Sequence, residues 1–361
     1  MTPLEVDASC TAERITLSRL RSALPADVFR LSPRRAWFGL ARACATVAAG
    51  ELLLANVHVE PSATVLWQIP ALLLGWFVVM AGMGGFFIIG HDCGHEAFSR
   101  RRWVNSLIGH VCMSPNLTSF HGWRLSHAHH HARAQLRGDD TDWPEQMLTH
   151  EEYARAPRLV RVQARAAYGS PVGLMVGFFV GMIRRTAMRR LYPQVKLGAR
   201  ARRELSMSTI VVFLTCGAMA VTLLVTMGTW AMLKHYLIPL YLGMVTGAFF
   251  TYLHHSGEGA LVFDEASWTP VRGQVVSTFD VRFPVWLEVL FFHINRHPAH
   301  HLSPRIPWYN LPRAMDALRQ AHPSLHIERR FSPGYLLRAW RAPLLAETSP
   351  GVFVAAPPVE R

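Results

Sequence analysis

Charged side chains are scarce in this chain, and acidic ones are scarcer than basic ones. Of the 361 residues, 24 are Asp or Glu and 37 are Lys or Arg, so that 17% are charged while 50% are hydrophobic. A soluble enzyme of this size is rarely so apolar. The five cysteines include no CxxC pair and indicate neither a disulfide framework nor a zinc ribbon. The N-terminus is too polar for a secretory signal, and no internal repeat or strand pattern predicts a sheet.

Long uncharged runs predict membrane-spanning helices. Three runs contain no Asp, Glu, Lys or Arg: residues 61–91, 205–233 and 236–253. The first two exceed the roughly 20 residues that a spanning helix needs. The third follows the second after only Lys234 and His235, so we expect a tight helical hairpin there. Residues 36–59 give a fourth span, in which Arg42 and Glu51 are exceptions that require Arg42 to reach the interface.

The arginines and lysines orient these spans. Residues 91–204 carry 18 of them and the first 35 residues carry six, which places both termini and the middle loop in the cytoplasm. Both termini lie on the same side only when the number of crossings is even, and four crossings meet this condition. The sequence therefore predicts an all-α integral membrane protein, in a bacterial inner membrane, with about four transmembrane helices and a cytosolic helical cap. We divide it into a cytosolic N-terminal segment (1–35), a membrane domain (36–342) and a flexible C-terminal tail (343–361).

Other apolar and basic features fit the same picture. Residues 171–183 are apolar but too short to cross, so we expect an interfacial helix there, and residues 103–117 are similar. The net charge of +13 is explained by retention of cytoplasmic loops and by attraction to anionic headgroups. It also suits the docking of an acidic electron carrier. Nucleic-acid binding is not expected, because the arginines flank apolar segments and form no recognisable binding module.

Three histidine clusters carry the chemistry. They are His91 to His95, His127 to His131 and His297 to His301. Positions i, i+3 and i+4 of a helix share one face, so the imidazoles within each cluster point the same way, with His129 out of register. The HxxHH pattern is expected by chance about 0.05 times in the chain, so its two copies are not accidental. All three clusters follow spans that emerge on one side of the membrane.

Imidazole is a ligand for iron, zinc, copper and nickel. Eight clustered histidines exceed what one ion can use, and structural zinc normally recruits cysteine as well. Two ions with about four imidazoles each account for the number. Soluble di-iron bundles use Glu and Glu-x-x-His ligands, and that set is not found here. The residues favour an all-nitrogen di-iron site at the cytosolic ends of spanning helices, with an apolar substrate.

The sequence around these clusters resembles the membrane fatty acid desaturases, in particular the bacterial and plant acyl-lipid branch that includes delta-12 enzymes. The motifs that carry the resemblance are residues 91–98, 103–110, 120–127, 251–255 and 295–311. The resemblance implies a non-haem di-iron oxygenase. Such an enzyme removes two hydrogens from adjacent methylenes of an acyl chain and reduces O₂ to water with electrons from a carrier.

The resemblance also implies the ligands of two iron ions. By matching position they are His91, His95, His127, His130, His131, His297, His300 and His301. A ninth lies at the end of the fourth span, where both His254 and His255 are candidates and the motif register favours His255. Asp92, Asp140 and Asn295 match polar positions that could orient imidazoles or hold a water. The alternative for the two aspartates is a solvated or helix-capping carboxylate.

The chain departs from the family in two places. Ala134-Gln135 replaces a polar pair of the Thr-Asn type after the second cluster, which bears on regiochemistry rather than on metal binding. There is no His-Pro-Gly-Gly haem-binding signature, so a separate ferredoxin-like or flavoprotein donor is expected.

The leading hypothesis is thus an acyl-chain desaturase acting on a lipid-linked substrate. The same site could instead carry out hydroxylation, ketolation or acetylenic-bond formation on an acyl chain or a carotenoid. A third reading is a membrane metal carrier or sensor. It is disfavoured because residues 61–89 and 205–233 contain no histidine or carboxylate along a path through the membrane.

Overall fold

The computed structural model of the chain is mostly helical and describes residues 15–57, 68–141, 147–170, 173, 176, 196–256, 259–325 and 327–357. In chain order its α-helices are α1 (Leu17–Ser22), α2 (Pro33–Ala55), α3 (Gln68–Gly94), α4 (Arg102–Met113), α5 (Phe120–Arg133), α6 (His150–Arg155), α7 (Arg158–Gly169), α8 (Ala199–Met232), α9 (Ile238–His255), α10 (Val285–Leu290), α11 (His297–Leu302), α12 (Leu311–Ala321) and α13 (Pro333–Arg341). Short 3-10 turns lie at Ala26–Phe29, Ser114–Asn116 and Trp308–Asn310, and π-helical turns at Leu233–Leu237 and Arg272–Val276. The strands are β1 (Leu261–Phe263), β2 (Asp280–Arg282), β3 (Glu328–Arg330), β4 (Leu344–Ser349) and β5 (Val352–Ala356).

Among the described residues, three helical stretches are long and apolar enough to cross a membrane. They are Pro33–Ala55, Gln68–Gly94 and Ala199–His255. The third contains both α8 and α9, and its helical path is broken at Gly228 (φ 86°, ψ 175°), a conformation open essentially to glycine alone. Cys216 of α8 lies in one hydrophobic cluster with Tyr236 of the π-helical turn that joins the two helices, so this turn packs against α8. The reversal was predicted at Lys234, but that residue lies in a helical turn, and the structure breaks the helix at Gly228 instead. Four separate spans and a cytosolic cap stay predictions.

Small residues hold α2 and α3 together. A Cβ atom added at Gly50 would lie 2.7 Å from the backbone nitrogen of Val79, and one at Gly82 would lie 2.7 Å from that of Val47. Such close approach lets the backbones make the van der Waals contacts that drive helix association in an apolar medium. Helix α3, which carries His91 in its last turn, is therefore fixed against α2.

Arg42 and Glu51, which interrupt the predicted span 36–59, each have a partner. The guanidinium carbon of Arg42 lies 3.8 Å from the ring centroid of Phe292 and 5.2 Å from that of Trp308, a cation–π arrangement. The Glu51 Oε2 atom lies 2.6 Å from the Nδ1 atom of His235. These contacts account for an arginine and a glutamate in the apolar part of α2.

The N-terminal residues pack on the helices around the third histidine cluster. Leu20 and Val28 share a buried hydrophobic cluster with Leu302 and Leu311. The Nε atom of Arg21 also donates a hydrogen bond to the carbonyl oxygen of Leu302, at 2.7 Å. The segment before α2 thus covers α11 and α12.

Two small sheets were not predicted from the sequence. One has the antiparallel order β1-β5-β4, and the other pairs β2 with β3 in parallel. Strands of three to six residues are too short to give a clear alternation of polar and apolar residues. The segment predicted as a flexible tail, 343–361, contains β4 and β5, because Leu345 and Phe353 are buried with Met147 and Val262. The division of the chain at residues 35 and 342 stays a prediction.

Of the two predicted interfacial helices, the structure describes one in full. Residues 103–117 correspond to α4 followed by the turn at Ser114–Asn116. Residues 171–183 lie outside the described residues, apart from 173 and 176.

Candidate metal centre

Eight of the nine predicted ligand histidines lie on four helices, and the ninth directly follows one of these helices. His91 lies in the last turn of α3 and His95 directly follows that helix, while His255 ends α9. The second cluster lies on α5 and the third on α11. The Ser119 hydroxyl accepts a hydrogen bond from the backbone nitrogen of Gly122 and so caps the start of α5.

Five of these histidines form a first group. The ligand nitrogens of His91, His95, His127 and His300 all lie within 4.8 Å of one another. His131 joins them, since its Nε2 atom is 3.0 Å from that of His127. The i, i+4 spacing of His127 and His131 on α5 brings the two rings to the same side of the helix.

The other four form a second group. The ligand nitrogens of His130, His255 and His301 also lie within 4.8 Å of one another. The Nε2 atom of His297 is 2.9 Å from that of His255 and 3.2 Å from that of His301. The two groups are adjacent, because the ring centroids of His131 and His301 are 4.3 Å apart.

The spacing of the nitrogens fits two nitrogen-bound metal ions. Pairs of Nε2 atoms lie 2.9, 3.0, 3.2 and 3.3 Å apart, and two imidazoles that bind one ion at about 2.0–2.1 Å place their nitrogens about 3.0–3.4 Å apart. The Nε2 atoms of His91, His95 and His300 are buried and have no hydrogen-bond partner among the described residues. Buried polar atoms are normally satisfied, and coordination of an ion would satisfy these.

Burial keeps the imidazoles in the form that binds metals. Desolvation lowers the pKa of His127, His131, His297, His300 and His301 well below the ordinary histidine value, and neighbouring imidazoles lower it further. A neutral ring has a free nitrogen lone pair, and metal binding needs that state. The site is therefore ready to bind an ion near neutral pH without first losing protons.

The structure separates His255 from its neighbour His254. The Nε2 atom of His255 lies within the second group, 3.3 Å from that of His130. The ring of His254 stacks on the face of His297, with centroids 4.2 Å apart. His129 falls out of the helical register and belongs to neither group. Its Nε2 atom lies 2.8 Å from the carbonyl oxygen of Asp139.

Asp140 is placed to orient a ligand imidazole. It is fully buried, and its Oδ1 atom lies 2.7 Å from the Nδ1 atom of His130. Its Oδ2 atom accepts a hydrogen bond from the backbone nitrogen of Gln135, at 2.8 Å. A carboxylate on the second ring nitrogen fixes the tautomer and the orientation of a metal-binding histidine.

Gln135 ties three segments of the site together, a role that the sequence did not reveal. It is fully buried, and its Nε2 atom donates to the carbonyl oxygens of His255 at 2.7 Å and Ser277 at 2.9 Å. Its backbone has a φ of 62°. The only sequence signal was its place in the pair that departs from the family pattern.

Asp92 and Asn295 make contacts other than those predicted. The Asp92 Oδ2 atom accepts a hydrogen bond from the backbone nitrogen of Trp308 at 3.0 Å, while its Oδ1 atom is 3.7 Å from the Nδ1 atom of His91, too far for a hydrogen bond. The Nδ2 atom of Asn295 donates to the carbonyl oxygen of Val281 at 3.0 Å. Asp92 is 4% exposed, so it is not a solvated carboxylate. Both side chains instead hold backbone around the third cluster.

A buried ion network precedes the third cluster and was also missed. Arg296 directly precedes His297. Its Nη1 atom lies 3.1 Å from the Oδ2 atom of Asp280, and its Nη2 atom lies 2.8 Å from the Oε2 atom of Glu288. Burial raises the pKa of Asp280 to about 6, against the lowering effect of Arg296. The network fixes the start of α11 to β2 and α10. A charged residue inside an otherwise buried motif was the available signal.

An apolar cavity opens from the histidines into the space between α3 and α9. It holds about 1150 Å³ of space not filled by protein atoms, part of it open to the surroundings. Its apolar lining includes Phe87, Ile88, Met244, Phe250, Phe291 and Ile294, and five histidines, among them His91 and His297, form its inner end. Trp123 also lines the cavity and stacks on His127 with centroids 4.4 Å apart.

Comparisons with known proteins identify relatives along most of the chain. The fatty acid desaturase family model matches residues 26–333. The sn-1 oleoyl-lipid 12-desaturases of Picosynechococcus and Synechocystis are 31% and 30% identical to the chain, over 92% and 88% of its length and 92% and 85% of theirs. A chloroplastic omega-6 fatty acid desaturase of Brassica napus is 28% identical, over 85% of this chain and 65% of its own. The resemblance seen in the histidine motifs is thereby confirmed, and the chain belongs to the fatty acid desaturase family of enzymes.

Proposed function

We propose that the chain is an oxygen-dependent acyl-lipid desaturase with a histidine-ligated di-iron centre. One acyl –CH₂–CH₂– unit, one O₂, two electrons and two protons give –CH=CH– and two waters. Two bound iron ions would supply the activation of O₂ and the removal of the two hydrogens. The observation that carries the proposal is the pair of histidine groups at the inner end of an apolar cavity between two membrane helices.

Each part of the protein has a distinct task in this proposal. His91, His95, His127, His131 and His300 would hold one ion, and the remaining four histidines the other. The carboxylate of Asp140 and the amide of Gln135 hold His130 and His255 in place. Ordered ligands and a fixed substrate keep the reacting methylenes beside the ions.

The cavity suits an acyl chain. It follows α9 from His254 to Gly243, which is about 16 Å of helix at about 1.5 Å per residue. That is about half of the ~30 Å hydrocarbon thickness of a bilayer, the depth that one acyl chain of one leaflet occupies. Apolar side chains of α3 and α9 exclude water from this space. The names of the relatives support an acyl group carried on a glycerolipid as the substrate.

We also propose that both termini and the histidine groups face the cytoplasm. The 18 basic residues of the segment 91–204 and the six in the first 35 residues support that orientation. The helix ends that carry His91 and His255 would then lie at the cytoplasmic surface, where a separate electron donor can reach them.

The test is lipid analysis of a host with a defined fatty acid composition. Three strains are compared, which express the parent chain, the variant His130→Ala or the variant His300→Ala. The parent chain should give acyl groups lighter by two hydrogens, and both variants should insert into the membrane without forming this product. Gain of the mass of one oxygen would instead indicate hydroxylation. Full activity in either variant would refute the assignment of the site.

A further inference from the structure

An arginine-rich face covers the helix that carries the third histidine cluster. Residues 15–35 and 302–315 together contain seven arginines, no lysine and a single acidic residue, Asp27. All seven are exposed. Two of them, Arg34 and Arg35, begin the candidate span α2 and so lie where lipid headgroups are expected. The other five are here called the arginine face: Arg19, Arg21, Arg30, Arg305 and Arg313.

Little in the described part of the chain neutralises this face. Asp27 pairs with Arg313 at 2.6 Å. Arg19, Arg30 and Arg305 form no ion pair with any described residue. A concentration of one sign of charge on a surface attracts a partner of the opposite sign and accelerates its association.

The face is also directly connected to the metal ligands. Arg21 donates a hydrogen bond to the carbonyl oxygen of Leu302, the residue that follows His301. Leu20 and Leu24 pack in one cluster with Leu302. A partner that docks on the arginine face is therefore separated from the second histidine group by one hydrogen bond and one peptide unit.

We propose that the arginine face is the docking site of an acidic one-electron carrier protein, which delivers the two electrons of each turnover one at a time. This inference rests on the proposed function, because that reaction consumes two electrons and the chain contains no haem-binding signature. The hydrogen bond of the arginine face to the backbone of Leu302, next to the ligand His301, favours an electron-donor protein over lipid headgroups.

The test uses the double variant Arg19→Gln/Arg305→Gln. The matched control is Arg203→Gln/Arg341→Gln, which removes two exposed arginines from α8 and α13. The purified full chain is placed in vesicles of phosphatidylcholine, and the probe is an acidic plant-type [2Fe–2S] ferredoxin. The Kd of oxidised ferredoxin and its KM as electron donor are measured at about 0.01 M and about 0.15 M salt, where the Debye length falls from about 30 to about 8 Å.

We expect the double variant to raise Kd and KM about 5- to 30-fold at low salt with kcat unchanged, and to show a weaker salt dependence than the parent. The control should stay within about twofold of the parent. Equal Kd values for parent and double variant, or an equal loss in the control, overturn the proposal. So does a result in which phosphatidylglycerol changes the activity of the parent but not of the double variant, while their ferredoxin affinities are the same. A parent that binds ferredoxin through these arginines but forms no desaturated product leaves the docking face standing and refutes the proposed function.

Discussion

Replacing Gln135 with Asn tests whether one buried amide holds the second histidine group together. The Gln135 Nε2 atom donates to the carbonyl oxygens of His255 and Ser277, which are far apart in sequence. Asn is one methylene shorter, so its amide cannot reach both oxygens from the same backbone position. Asn also tolerates the left-handed backbone at this site (φ 62°) better than most residues. A loss in this variant therefore reports the missing hydrogen bonds and not backbone strain.

The expected loss follows from the two bonds. Leaving a buried hydrogen-bonding group without its partner costs about 1–3 kcal/mol, so two carbonyl oxygens give about 2–6 kcal/mol. Relaxation of the surroundings places the effect toward the lower end of that range. At about 1.4 kcal/mol per factor of ten, a loss of 2–4 kcal/mol that falls on the position of His255 weakens metal binding in the second group about 30- to 1000-fold.

The assay is iron content, melting temperature and turnover of the purified variant, compared with Gln320→Asn on the exposed side of α12. We expect Gln135→Asn to keep one iron per chain, to lose most of the second and to form little product. The control should match the parent. Two retained irons with unchanged turnover would show that Gln135 does not position His255.

Three other predictions concern the oriented ligand, the cavity and the protonation of the site. Asp140→Asn removes the charge beside His130 and should lower iron affinity about 10- to 100-fold in a chelator competition, whereas unchanged affinity would argue against an orienting carboxylate. Gly243→Leu should fill the cavity without a clash, because no heavy atom lies within 4 Å of a Cβ there. It should therefore lower product yield at full iron content. The control Gly217→Leu, on α8 and equally unobstructed, should not lower the yield. Equal yields for the two variants would show that the cavity does not hold the acyl chain. Burial lowers the pKa of the ligand imidazoles, so that below about pH 6.5 the unfolded chain binds more protons than the folded one. The melting temperature of metal-free protein should then fall as pH decreases from about 7 to 5, and a flat profile would contradict this burial.

Local spacing accounts for which histidines of the candidate site lie close together within one helix. The i, i+3 and i+4 positions share a helix face, which is why His127 and His131 approach each other within α5. The uncharged runs located α3 and α9, whose ends carry His91 and His255. Both predictions depend on residues close in sequence, where helical geometry alone fixes what meets.

Long-range contacts were not predictable in the same way. Gln135 reaches His255 and Ser277 across 120 and 142 residues, and no periodicity encodes such a pairing. The choice between His254 and His255 depends on the rotation of α9, which packing decides. Gly228 breaks the helical path where residue charge had suggested Lys234, because backbone conformation rather than polarity determines the break.

In the proposed function, nine histidines from distant parts of the chain hold two iron ions. The most direct measurement is the metal content of the purified active chain, together with X-ray absorption spectroscopy at the iron edge. The proposed function predicts two irons per chain with nitrogen-dominated ligation at about 2.1 Å, and loss of product when the iron is removed. A single ion per chain, or activity that persists without iron, would contradict it.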